Sequence, residues 1–156
     1  MSPKRYNRTR KQLQHRVSWG QFTLLGILVV SLINQLLLWS GVHYHFLCSA
    51  AMPYYLNWMA GQLFSTGLSI MVILVTFALY AVYGLCLLRS HQPQWFWTAM
   101  ALYALDTVLL LFFALIMLEN PMSCLIELLI HIVLLMVLLQ SWKARLLLRR
   151  KSGDHP

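Results

Sequence analysis

Charge is scarce in this chain and unevenly placed. Of its 156 residues only 10% are charged, with four Asp and Glu against twelve Lys and Arg, while 60% are hydrophobic. A soluble domain of this length needs far more polar surface, so the composition argues against a soluble fold. The three cysteines form no C-x-x-C, which does not fit a thiol redox enzyme. There is no Gly-rich phosphate loop, no serine in a nucleophile elbow and no H-E-x-x-H, so the sequence offers no catalytic signature. Internal repeats and low-complexity segments are absent as well.

The positive charge is confined to short clusters. Lys4, Arg5, Arg8, Arg10, Lys11 and Arg16 lie in the N-terminal segment, and Lys143, Arg145, Arg149, Arg150 and Lys151 in the C-terminal one. Arg89 stands alone in a polar break near the middle, and the long apolar stretches between contain no Lys or Arg. This distribution predicts a polytopic all-α membrane protein with cationic segments held on the cytoplasmic side. The net charge of +8 is no sign of nucleic-acid binding, because the basic residues flank apolar spans instead of covering a folded face. The same clusters suit contact with anionic lipid headgroups.

Four transmembrane helices are predicted, at about 17–40, 62–88, 95–118 and 122–142, between basic cytoplasmic tails at 1–16 and 143–156. Trp19 and Trp39 mark the ends of the first, and Trp95, Phe96 and Trp97 open the third. Pro93 interrupts one helix, and Pro121 is placed to start another. The first span is too long for a signal-peptide core and lacks a nearby small-x-small site, so it is expected to be a retained anchor. Gly41 to Gly61 is apolar enough to imitate a fifth span, but counting it would put the two basic ends on opposite sides. It is expected to be an interfacial or re-entrant segment on the outer face.

Chemistry in such a protein resides in polar groups inside the spans. Asp106 lies near the middle of the third span, and Glu127 and His131 are four residues apart on one face of the fourth. An intramembrane carboxylate costs about 2.5–3.5 kcal/mol on insertion scales, so it must find a partner or a proton. Asp106, Glu127 and His131 are therefore the candidates for an ion or proton path, beside the plainer expectation that these polar groups only hold the helices together. Asn34 and Gln35 in the first span and Thr76 and Tyr80 in the second are candidate interhelical polar contacts. Matching depths at about 1.5 Å per residue pairs Glu127 with Asn34 or Gln35, and Asp106 with His131, Thr76 or Tyr80. Gly61, Ser65 and Ser69 form a small-xxx-small run that suits close packing of the second helix.

Glu127, His131 and Asp106 have metal-ligand chemistry, and His43 with His45 makes a second pair, but E-x-x-x-H arises often by chance. No metal site and no cofactor are expected. A Cys48–Cys124 disulfide is chemically allowed in an oxidising exterior, while three packed free thiols are the simpler state.

Three strings resemble an uncharacterised group of small four-helix membrane proteins of Clostridia-type bacteria: SLINQLLL at 31–38, FLCSAAMPYYL at 46–56 and ALDTVLLL at 104–111. The resemblance implies an inner-membrane location and no particular activity. Members of that group are expected to carry a longer acidic insertion near Gly61, which this chain lacks.

The leading expectation is a non-enzymatic accessory or modulatory membrane component, acting with lipid and with another membrane protein. The competing expectation is a proton- or ion-coupled small transporter or channel-like subunit using Asp106 and Glu127. A membrane-embedded lipid-modifying enzyme comes third.

Overall fold

The computed structural model describes residues 3–42, 44–63, 65–116 and 121–153, with side chains described within 9–42, 44–62, 65–115 and 125–149. The order is α1 (Pro3–Trp39), α2 (Ala51–Leu63), α3 (Thr66–Leu88), α4 (Pro93–Ile116) and α5 (Pro121–Gly153). The described residues contain no strand. α1, α3, α4 and α5 are each long and apolar enough to cross a membrane, and the protein is an all-α, multi-pass membrane chain. The 23 residues of α3 alone reach roughly 35 Å.

α1 does not begin where its apolar run begins. It is helical from Pro3, through the basic segment, because Lys, Arg and Gln are good helix formers and no glycine intervenes before Gly20. α5 likewise continues through its basic segment to Gly153. α3 starts at Thr66, and Gln62 and Leu63 belong to α2 instead.

The long helices run up and down. Near one end the side chain of Gln21 on α1 donates to Ser90 after α3, Ser141 on α5 donates to the Val17 carbonyl, and Arg145 on α5 donates to the Ser90 carbonyl. The basic parts of α1 and α5 and the α3–α4 turn therefore share one end of the bundle, called the basic end below. Trp97 and Trp142 pack there at 5.0 Å. Leu24, Ile27, Cys86, Phe96, Ala99, Met100, Tyr103 and Leu138 form the apolar core of this half.

α1 and α5 approach closely at Gly20, where an added Cβ would fall on the Ser141 side chain and touch Phe96. Small residues let backbones approach in this way. The 61–65–69 run does something else. Gly61 is in α2 and faces open space, Ser65 is the N-cap of α3, and Ser69 bonds the Ala60 carbonyl at 2.8 Å. The run straddles a corner, so it makes no single packing face.

Burial is inverted relative to a soluble protein. His131 is 0% exposed and Glu127 1%, whereas Leu74 is 63% exposed and Phe22 66%. Polar groups inside and aliphatic groups outside are what a hydrocarbon surround favours.

Candidate functional site

The polar interior of the other half is organised around the segment between α1 and α3. α1 ends in a Schellman turn: Val42 N–H bonds the Leu37 carbonyl at 3.0 Å and Gly41 N–H the Leu38 carbonyl at 3.1 Å. Gly41 takes φ +77°, a conformation that costs glycine little. The chain then turns back into the bundle.

α1 guides its descent. The Asn34 amide forms a reciprocal pair with the Phe46 backbone, accepting from its N–H and donating to its carbonyl, both at 2.7 Å. Asn34 also donates to Ser49 Oγ at 2.8 Å. One turn deeper, Ser31 Oγ accepts from Ala50 N–H at 2.7 Å and donates to the Ile27 carbonyl at 2.6 Å. Cys48 has φ 73°, left-handed and strained for a residue with a side chain, at the bend into α2.

Asp106 receives α2 at its N-terminus. Its Oδ2 accepts from Ala51 N–H at 3.0 Å and its Oδ1 from Met52 N–H at 2.9 Å. The first amides of a helix have no intrahelical acceptor, and its dipole favours a negative charge there. A carboxylate from α4, 55 residues away in sequence, fills the role normally taken by a local cap. Asp106 sits mid-way along α4, so the N-terminus of α2 lies at the mid-level of the bundle. From there α2 climbs back to α3.

His131 completes the acid's surroundings, with Nε2 at 3.3 Å from Asp106 Oδ2. His131 Nδ1 lies 2.9 Å from the Glu127 carbonyl. A carbonyl only accepts, so Nδ1 carries a proton and Nε2 faces the acid. Nε2 is buried and within ion-pair distance of the acid, without a well-aligned hydrogen bond to it. The imidazole stacks on Tyr103 at 5.1 Å and 7°.

Glu127 is a separate station. Its Oε2 accepts from the Tyr55 hydroxyl at 2.9 Å and lies 3.6 Å from His45 Nε2, and its Oε1 is buried without a hydrogen-bond partner. Tyr55 stacks on Phe113 at 4.4 Å, and His45 packs on Tyr54 at 4.9 Å. Further along α2, the Asn57 amide donates to Thr76 Oγ1 at 2.7 Å and reaches Gln35 Oε1 at 3.3 Å. Tyr80 donates to the Ser31 carbonyl at 3.4 Å.

Asp106 and His131 thus meet, and Glu127 joins them through its backbone. The Glu127 carboxylate hydrogen-bonds with neither Asn34 nor Gln35, which hold the descending loop and Asn57, and Thr76 serves Asn57 instead of Asp106. The partners missing from the sequence reading are the amides of Phe46, Ala50, Ala51 and Met52, together with Asn57, Tyr55 and His45. Pro53 two residues into α2 was the available signal, since proline favours a helix's first turn.

Among the described residues no group of three or more His, Cys, Asp or Glu is arranged to hold a metal ion. Cys48 is exposed and Cys86 buried, both as free thiols. The Cys124 side chain and His43 lie outside the described residues, and with them the Cys48–Cys124 pairing and the histidine pair. No family model, curated protein or solved structure matches the chain.

Proposed function

We propose that this protein is a non-enzymatic accessory component of a bacterial inner membrane, which associates with another membrane protein and modulates it. Its basic end faces the cytoplasm, where its cationic segments meet anionic headgroups, and the segment between α1 and α3 enters from the outer face. One observation carries the reading. Asp106, a buried acid at the mid-level of the bundle, has both oxygens committed to the first amides of α2. An acid that must take up and release a proton in each transport cycle would drop that cap each time, whereas an acid that holds a helix in place is best left undisturbed. Asn34, Ser31, Gln35 and Thr76 serve the same segment. A cleft of about 250 Å³ reaches this network at Asn57, with neither Asp106 nor Glu127 on its wall.

The proton- or ion-coupled reading keeps one support: the unpartnered Oε1 of Glu127, close to the partly exposed His45. Proteoliposome flux separates the two. Accessory function predicts no proton flux from the purified chain and defined crosslinks to a partner in native membranes. Flux abolished by Glu127→Gln would establish the transport reading instead.

A further inference from the structure

The basic end contains a second set of polar groups that the network around Asp106 does not use. Arg145 on α5 is only 6% exposed. Its guanidinium lies over the Phe96 ring at 4.1 Å and gives Nη1 to the Ser90 carbonyl, while Nε and Nη2 have no partner. A buried guanidinium with unused donors normally has a carboxylate beside it. Here none is near. Asp106 is ten residues along α4 from Phe96, roughly 15 Å, and Glu127 is eighteen residues along α5 from Arg145, roughly 27 Å. Both are already engaged with histidines. Glu119 and Asp154 lie outside the described residues.

Arg145 also forms part of the wall of a cleft of about 470 Å³ between α1, the α3–α4 turn and α5. Arg149, His91, Gln21 and Gln94 line it with Arg145, so its polar groups are cationic or neutral and no carboxylate is among them, while Val17, Pro93 and Leu148 make the rest of the wall apolar. We propose that this cleft is a phosphate-binding site, in which a phosphate group takes Arg145 and Arg149 as its charged partners. Nε and Nη2 are closed to solvent, so a ligand reaches them by displacing a side chain at the cleft wall. Arg presents a planar fork that matches phosphate oxygens, and the glutamine amides add neutral donors. A phosphate carried by a lipid of the adjoining leaflet and one arriving free from the aqueous side present the same oxygens, and the same donor set accepts both.

The test uses the full chain purified in neutral detergent, with dioctanoyl phosphatidylglycerol and inorganic phosphate as probes and thermal shift and native mass spectrometry as readouts. Saturable binding of at least one probe is expected, with Arg149→Gln weakening it by about tenfold or more. Lys143→Gln, an exposed cation outside the cleft, should leave it within about twofold. Arg145→Gln should abolish it, and if that variant does not fold, the contrast between Arg149 and Lys143 decides. Phosphate that competes with the lipid identifies a soluble ligand, and binding of lipid alone identifies a headgroup site. Failure of both probes to saturate, or equal weakening by the Arg149 and Lys143 variants, overturns the proposal.

Discussion

Asp106 and His131 face each other across α4 and α5 at 3.3 Å, yet the acid's shorter contacts are with the backbone of α2, at 2.9 and 3.0 Å. The pair that looks like a proton relay in isolation is, in context, the clasp on an inserted helix.

Replacing Asp106 separates charge from shape. Asp106→Asn keeps one acceptor for the α2 amides and is expected to cost about 1–3 kcal/mol. Asp106→Ala orphans both amides and His131 and is expected to cost about 3–5 kcal/mol. Thermal or denaturant unfolding in detergent measures the difference. Equal losses would mean that the amide bonds contribute nothing.

Glu127 should behave differently. Its Oε1 has no partner, and Gln can still accept from Tyr55, so Glu127→Gln should cost less than about 1 kcal/mol in the same assay. A loss above about 3 kcal/mol would show that its charge is structurally required.

The α1–α5 contact offers a reciprocal test. Gly20→Ala should destabilise the bundle by about 1–3 kcal/mol, because the new Cβ lands on the Ser141 Cβ and Oγ. Ser141→Gly clears that space, so Gly20→Ala combined with Ser141→Gly should recover most of the loss in a double-mutant cycle. Strict additivity would place the clash elsewhere.

Much of the architecture was legible because it is written locally. Helix length, excluded charge and the prolines at 93 and 121 each act over a few residues, and α4 and α5 start at those prolines. The polar contacts were harder, since their partners are backbone amides set by tertiary placement. Nothing near Ala51 announces that its amide will meet an acid 55 residues away. Depth matching along straight helices put Glu127 level with Asn34 and Gln35, but the inserted segment lies between them and takes both sets of contacts. The spacing of Gly61, Ser65 and Ser69 misled for a related reason: it is read as one helix face only if no corner intervenes. Gly20 and Ser141, which do approach closely, carry no local pattern at all.

A further expectation concerns the loop. Ala50 is 2% exposed and tied to Ser31, with Asn34 holding the segment above it. In a background without native cysteines, Ala50→Cys should resist maleimide labelling, and adding Asn34→Ala should speed labelling by about tenfold or more, as the segment loosens. Unchanged labelling would show that Asn34 does not retain the loop.

The most direct measurement is hydrogen–deuterium exchange in lipid nanodiscs, following peptides that cover 44–58 in the wild type and in Asp106→Ala. The account predicts that Ala51 to Asn57 is as protected as the centre of α4, and that the substitution releases this segment while α4 and α5 stay protected. Free exchange of 44–58 in the wild type, or protection that survives loss of the Asp106 carboxylate, would contradict it.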